Sequence, residues 1–276
     1  MKKRRNQKMR ELRRKGIYII PNLFTTGNLF CGVFAIMSVL HDRYVAAGIA
    51  IVVGSVFDLL DGKLARLTKT TSRFGVEYDS LSDLVSFCVA PGLLAYAWAL
   101  QPYGRVGWMG LFLYIACGAL RLARFNVQVS GPESKDFLGL PTPAAAMLVA
   151  SMVMFDADVV HLGDKVRPVL TLSLTYLLAF LMVSNIRYRS FKGLNLKDRK
   201  PFNVLVGLVL AFIIFGAIPQ IMLFSLASIY VLVGVLEKPC VALYRKLDER
   251  PEDASKASTA YPEVEDIEDK DILLKH

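Results

Sequence analysis

The sequence predicts an all-α integral membrane protein, and three observations support this: long apolar segments, little charge within them, and basic residues gathered between them. Of the 276 residues, 54% are hydrophobic and 21% are charged. The mean hydropathy is +0.42. A helix needs about 20 mostly apolar residues to cross roughly 30 Å of hydrocarbon. Several segments reach that length, so lipid is the solvent for most of this chain.

We expect about eight transmembrane helices after a basic N-terminal arm. The arm, residues 1–16, reads MKKRRNQKMRELRRKG. It has two interpretations: an amphipathic helix on the membrane surface, or a disordered segment that sets the topology. The last two predicted spans are separated only by Gly216–Pro219 and could form one re-entrant unit. The predicted spans are 21–40, 44–64, 80–100, 105–125, 141–160, 167–185, 202–217 and 219–237.

The distribution of charge predicts the orientation of the chain. The net charge is +9, but the basic residues lie in the arm and in the links 65–79, 121–140 and 186–200 rather than on one polar face. With eight spans, all of these segments fall on one side, so the positive-inside rule places both termini in the cytoplasm. This pattern suits anionic lipid headgroups rather than nucleic acid. None of the four cysteines forms a CxxC pair, so no zinc site is indicated.

Four aspartates carry the chemical signal. Asp58 and Asp61 are three residues apart at the end of the second span, and Asp79 and Asp83 are four apart near the start of the third. Residues at these spacings share one face of a helix. Each helix end therefore presents two carboxylates on one side, and a helix–turn–helix arrangement lets the two pairs converge.

Burying four carboxylates together requires cations. Each acid at mid-bilayer costs roughly 2.5–3.5 kcal/mol, and like charges about 4 Å apart repel by about 4 kcal/mol at an effective dielectric near 20. All-oxygen ligands favour Mg²⁺ or Mn²⁺, and Ca²⁺ is a further candidate. One ion, or two about 4 Å apart, would satisfy the set. The alternative is that these are interfacial acids paired with Lys63, Arg66 and Lys69.

Small and basic residues beside the acids predict a ligand surface. Gly62 follows Asp61 directly, although glycine inside a helix costs roughly 0.5–1 kcal/mol relative to alanine. Ala65 extends the smooth surface, and Arg66 lies one turn beyond Gly62. An arginine there can bind phosphate oxygens in a bidentate manner.

This pattern resembles the signature of the CDP-alcohol phosphatidyltransferases. The matching residues are Asp58-x2-Asp61-Gly62-x2-Ala65-Arg66-x8-Gly75-x3-Asp79-x3-Asp83. The resemblance covers a six-span catalytic core over residues 17–190. It leaves two additional spans within 191–240, and an acidic tail over 241–276 that we expect to be disordered.

The resemblance implies roles for individual residues. Asp58, Asp61 and Asp79 are expected to be metal ligands, and Asp83 a ligand that also serves as general base. Gly62 and Ala65 are expected to face the cytidine, and Arg66 and Ser72 the phosphates, with Gly75 in the same CDP-lipid site. The resemblance further implies CDP-diacylglycerol as donor, a homodimer, and a cytoplasmic active site in the cell membrane. In the reaction, an alcohol attacks the β-phosphorus and CMP leaves.

Shorter matches indicate the acceptor. Residues 21–28, PNLFTTGN, open the first span and resemble the serine-using branch of the family, as do 121–126 and 139–143. We therefore expect L-serine as acceptor and phosphatidylserine as product. The expected contacts to serine are Arg121, Arg124 and Asn126. In the first span, Asn22 and Thr25 are expected to contact the CDP-lipid.

Several alternatives stay open from the sequence. The two arginines are equally explained as cytoplasmic anchors, and Asn22 and Thr25 as helix-cap residues. Glycerol 3-phosphate, inositol phosphate or choline would serve the same chemistry as acceptors. A divalent-cation transporter using intramembrane carboxylates and a non-catalytic scaffold are the interpretations from other functional classes.

Overall fold

The computed structural model describes residues 2–68, 72–129, 137–188 and 218–248, and almost all of them are helical. One helix, Arg73–Tyr103, is continuous but changes its winding along its length, with π-helical turns at Leu84–Val89 and Tyr96–Leu100. The helices are α1 (Lys2–Leu40), α2 (Tyr44–Thr68), α3 (Arg73–Tyr103), α4 (Arg105–Val129), α5 (Thr142–Phe155, continued by a π-helical turn Asp156–Val160), α6 (Val166–Val183) and α7 (Pro219–Asp248).

The predicted all-α membrane fold is confirmed. In the part of the chain described, seven helices are long and apolar enough to cross a membrane. The extended structure described is one antiparallel pair of two-residue strands, β1 (Phe137–Leu138) and β2 (Arg187–Tyr188). The seventh predicted span, 202–217, lies outside the described residues, as does most of the acidic tail.

The third span begins earlier than predicted, at Arg73 rather than at residue 80. The link between the second and third spans is correspondingly shorter than the predicted 65–79, because α2 continues to Thr68. The prediction was wrong because it followed the apolar window, whereas the first two turns of α3 are amphipathic. Ser72 begins the helix by accepting a hydrogen bond from the Gly75 amide at 2.9 Å.

Helices also run past two predicted boundaries. The basic arm and the first span form a single helix, α1, with Pro21 inside it. At the other end, α7 continues to Asp248, beyond the predicted start of the tail at residue 241. That the arm lies on the membrane surface stays a prediction.

The helices alternate in direction, so the bundle has two ends. We call the end where α2 finishes and α3 begins the site end, and the opposite one the far end. The Arg121 side chain at the end of α4 meets Thr142 at the start of α5 at 3.3 Å, at the site end. Gln220 at the start of α7 donates to Asp158 at 2.8 Å, at the far end. Thus α6 finishes at the site end, whereas α7 begins at the far end.

Small residues form the core between the helices. Ala47, Ala90 and Ala146 are each fully buried, and Phe87 and Ile51 fill the space beside them. Alanine at such contacts lets helix backbones approach closely, which is the usual way membrane helices pack. The outer faces carry large exposed apolar side chains, with Phe30 69% and Leu40 70% exposed. Those faces are suited to lipid.

Candidate active site

The structure brings three of the four aspartates into one cluster. Asp58 and Asp61 lie on the last turns of α2, and Asp79 lies on the second turn of α3. Each offers a carboxylate oxygen, and the three oxygens lie within 4.8 Å of one another. Asp61 is only 4% exposed. Asp83, one turn further along α3, adjoins this cluster but is not among its three mutually close carboxylates.

Helix α1 supplies neutral donors to one carboxylate on each neighbouring helix. Thr25 Oγ1 donates to Asp61 Oδ2 at 2.9 Å, and Asn28 Nδ2 donates to Asp83 Oδ1 at 3.1 Å. Both donor residues are buried. The predicted nucleotide contact Thr25 therefore holds an acid of the cluster, while Asn22 lies at the start of the same face.

Helix α3 is fixed to α1 by two serine hydroxyls. Ser82 Oγ donates to the Thr25 carbonyl at 3.1 Å, and Ser86 Oγ donates to the Asn28 carbonyl at 2.9 Å. These are the same α1 residues whose side chains hold the carboxylates. At Gly32 a Cβ would collide with the side chain and backbone of Ser86, so glycine is what allows this approach.

The residues predicted to face the CDP-lipid border the cluster. A Cβ on Gly62 would meet nothing nearer than Arg66 Nη2 at 3.8 Å, so this surface is open. Arg66 is exposed at the end of α2, and Ala65 is partly exposed. Across the link, a Cβ on Gly75 would lie 3.1 Å from Ser72 Oγ and 3.5 Å from Asn22 Oδ1.

The three predicted serine contacts differ in their surroundings. Arg121 is 8% exposed, lies within electrostatic range of Asp58 and Asp83, and its Nε has no hydrogen-bond partner among the described residues. Arg124 instead donates to the last carbonyls of α6, at 3.2 Å to Val183 and 3.3 Å to Ser184. Asn126, the third, exchanges hydrogen bonds of 2.9 and 3.2 Å with Ser80, between Asp79 and Asp83.

The cluster fits a hard divalent cation. Its donors are all carboxylate oxygens, and oxygens on opposite sides of an ion bound at 2.0–2.6 Å are about 4–5 Å apart. Asp79 Oδ1 is buried and has no hydrogen-bond partner among the described residues. Within those residues, no lysine or arginine nitrogen lies within 4.0 Å of these carboxylates. The alternative interpretation, in which these acids pair with Lys63 and Arg66, is therefore not observed there, and its third residue, Lys69, lies outside the described residues.

Sequence reasoning missed the contributions of Asn28, Ser82 and Ser86. The available signal was weak: polar side chains at three-residue and four-residue spacing on apolar helices. Such spacing places Thr25 and Asn28 on one face of α1, but it does not say which helix that face meets.

The fold and the site define an integral membrane protein of all-α class with a carboxylate cluster suited to a divalent cation. The family model described as CDP-alcohol phosphatidyltransferase matches residues 18–191, and the chain belongs to that family. The predicted resemblance is confirmed. This family is generally divalent-metal dependent, in keeping with the acidic cluster.

Several curated relatives are similar to this chain and share one name. A Helicobacter pylori protein named CDP-diacylglycerol–serine O-phosphatidyltransferase is 41% identical over 71% of this chain and 83% of its own length. A Bacillus subtilis protein of the same name is 38% identical over 63% of this chain and 91% of its own length. One from Saccharomyces cerevisiae is 43% identical over 48% of this chain and 52% of its own length.

Proposed function

We propose that this protein transfers the phosphatidyl group of CDP-diacylglycerol to the hydroxyl of L-serine, giving phosphatidylserine and CMP. The observation that carries the proposal is the cluster of Asp58, Asp61 and Asp79 beside the open surface at Gly62. The relatives from Helicobacter pylori and Bacillus subtilis bear the name of this activity.

Asp58, Asp61 and Asp79 are the residues we assign to a divalent cation, with Mg²⁺ or Mn²⁺ as the first candidates and Asp83 as a further ligand. One ion, two ions, or Ca²⁺ in the same place are compatible with the set of oxygens. When bound, such a cation neutralises the pyrophosphate and stabilises the departing CMP. Thr25 fixes the orientation of the Asp61 carboxylate through its 2.9 Å hydrogen bond.

Asp83 is the general base in this proposal. The serine oxygen forms a bond to the phosphorus that carries diacylglycerol, the bond from that phosphorus to CMP breaks, and the hydroxyl proton passes to Asp83. A hydroxyl is a weak nucleophile, so a carboxylate within hydrogen-bond reach is needed to take the proton. Asp83 Oδ1 accepts from Asn28, and we assign the proton to Oδ2. A single displacement requires no covalent intermediate on the protein.

The donor and acceptor would occupy neighbouring surfaces. Gly62 and Ala65 offer a flat surface for the cytidine. Arg66 and the Ser72–Gly75 turn offer donors to the phosphates, and Asn22 lies beside that turn. For the acceptor, we assign the serine carboxylate to Arg121.

The other two predicted serine contacts act less directly in this proposal. Arg124 holds the end of α6, and Asn126 orients the start of α3 through Ser80. In this proposal, Arg124 and Asn126 therefore hold the helices on the acceptor side of the site in place, and Arg121 binds the serine carboxylate.

The location of the site follows from charge. The helix ends that flank the most basic links lie at the site end, so we propose that this end faces the cytoplasm, together with both termini, in the cell membrane. A homodimer is part of the same proposal. The partners are then CDP-diacylglycerol, L-serine and membrane lipid.

An acceptor panel tests the proposal. Purified protein with CDP-diacylglycerol and Mn²⁺ is given serine, glycerol 3-phosphate, inositol phosphate or choline in turn, and CMP release is measured. We expect release with serine and incorporation of labelled serine into lipid. Release that needs glycerol 3-phosphate and ignores serine would overturn the assignment of the acceptor.

A further inference from the structure

Asn28 is a fully buried amide in a membrane helix. It is 0% exposed, and burying a polar side chain in an apolar environment costs several kcal/mol unless its groups are hydrogen-bonded. Only part of that requirement is met. Nδ2 donates to Asp83, whereas Oδ1 has no hydrogen-bond partner among the described residues.

The orientation of this amide follows from taking Asp83 as the base, since a base is ionised before it accepts a proton. An ionised carboxylate only accepts hydrogen bonds, so turning the amide would bring two acceptor oxygens, Asn28 Oδ1 and Asp83 Oδ1, together. The Asn28 side-chain N–H therefore faces Asp83. The side-chain carbonyl oxygen, Oδ1, then points the other way and has no hydrogen-bond partner among the described residues.

The surroundings hold Asn28 in this place. Its backbone carbonyl accepts from Ser86 at 2.9 Å, three residues beyond Asp83. Its side-chain oxygen lies against Gly54 of α2, where a Cβ would be 3.1 Å away. Helices α2 and α3 thus both hold Asn28 of α1 in place. The side-chain amide of Asn28 donates to Asp83, the carboxylate that we assign as the base.

We propose that Asn28 is a positioning residue for catalysis, which orients the Asp83 carboxylate toward the acceptor hydroxyl. This rests on the proposed function, since it takes Asp83 as the base. Asn28 does not touch the substrate in this account. It acts by holding one oxygen of Asp83, so the other oxygen keeps a fixed direction toward the reacting atoms.

The first test replaces Asn28 by leucine, which has a similar shape and no donor. We expect kcat to fall by about ten-fold to a hundred-fold, as for a misdirected base. The KM values for CDP-diacylglycerol and serine, binding of CDP-diacylglycerol, and the melting temperature should stay near those of the wild type. Wild-type kcat in the Asn28→Leu variant would overturn the proposal, as would equal losses in every one of these measurements.

A matched pair of glycines tests the same idea without removing the amide. Gly54→Ala presses a methyl group against Asn28 Oδ1 at 3.1 Å, whereas Gly48→Ala on the same helix meets the Ala150 carbonyl at 3.2 Å, away from the site. Gly54→Ala should lower kcat by about three-fold to ten-fold, and Gly48→Ala should not. Equal kcat in the two variants would contradict a role for Asn28.

A double substitution separates this proposal from the function it rests on. Because Asn28 acts through Asp83, Asn28→Leu should cause no further loss of the residual turnover of Asp83→Asn. An additional ten-fold loss would mean that Asn28 acts independently. If Asp83→Asn alone keeps the wild-type rate, the assignment of the base fails. If Asp83→Asn is inactive and Asn28→Leu is fully active, only the role of Asn28 fails.

Discussion

Buried carboxylates occur at both ends of this bundle, but among the described residues only the one at the far end forms an ion pair. At the far end, Asp156 is 3% exposed and its Oδ2 lies 3.2 Å from Arg167 Nε. The same guanidinium stands over the Trp98 ring, 5.4 Å from its centroid. At the site end, three carboxylates lie within 4.8 Å of one another, and the hydrogen bonds described to Asp61 and Asp83 come from neutral Thr25 and Asn28.

The difference separates a structural acid from a functional one. The charge of Asp156 is balanced within the fold, so nothing further is needed there. The carboxylates of the cluster are oriented by hydrogen bonds but form no ion pair within the described residues, which keeps them available for a cation and its phosphate ligand. We therefore expect an Asp→Asn substitution to affect activity at the site end and stability at the far end.

Replacing a cluster acid should have the largest effect on activity and little on stability. Asp79→Asn should lower turnover by about a thousand-fold, on the order of 4 kcal/mol, because it removes a metal ligand. It should leave stability unchanged or raise it, since it relieves repulsion between like charges. CMP release and thermal melting in detergent measure the two effects. An Asp79→Asn variant with wild-type turnover would contradict the assignment of functional acids to the site end and a structural acid to the far end.

The equivalent change at the far end should do the reverse. Asp156→Asn leaves Arg167, whose side chain is 29% exposed, without its counter-ion, which costs about 1–3 kcal/mol of stability. The kcat of the remaining folded protein should match that of the wild type. Melting curves and active-site titration of the same preparation separate the two quantities. A folded Asp156→Asn variant with a large loss of kcat would show that the far end takes part in catalysis.

Glycines at the site end sharpen the comparison. Gly32→Ala places a Cβ against Ser86 and should destabilise the protein by about 1–3 kcal/mol through overpacking. Gly62→Ala enters open space and removes the cost of a glycine inside a helix, so the melting temperature should stay the same or rise, while binding of CDP-diacylglycerol should weaken. The assignment of Gly62 to the nucleotide surface would be wrong if that affinity were unaltered.

The smallest expected effect concerns the donor to the cluster. Thr25→Val keeps the shape of the side chain and removes the 2.9 Å hydrogen bond to Asp61, worth about 0.5–1.5 kcal/mol. The Mn²⁺ concentration for half-maximal activity should rise by about three-fold to ten-fold. Thr26→Val, whose hydroxyl contacts Tyr78 instead, serves as control and should leave that concentration unchanged.

Much of this organisation is readable from the sequence because local patterns determine it. Apolar length gave most of the spans, and the spacings of Asp58 with Asp61 and of Asp79 with Asp83 placed each pair on one helix face. The start of α3 was misplaced because an amphipathic first turn capped by Ser72 does not appear in a hydropathy window.

The remaining features depend on how helices meet, which spacing along one helix does not determine. The π-helical turn at Leu84–Val89 directly after Asp83 has no signature in its residues. Likewise, the contact between Asn28 and Asp83 joins positions 55 residues apart. The contact between Asn28 and Asp83 follows from the close packing of α1 against α3.

Binding of Mn²⁺ to the purified protein tests the central claim most directly. Titration followed by electron paramagnetic resonance should show binding in the wild type and in Asp156→Asn. Binding should be lost in Asp58→Asn and in Asp61→Asn. Unchanged Mn²⁺ binding in both cluster variants, or its loss only in Asp156→Asn, would contradict the account.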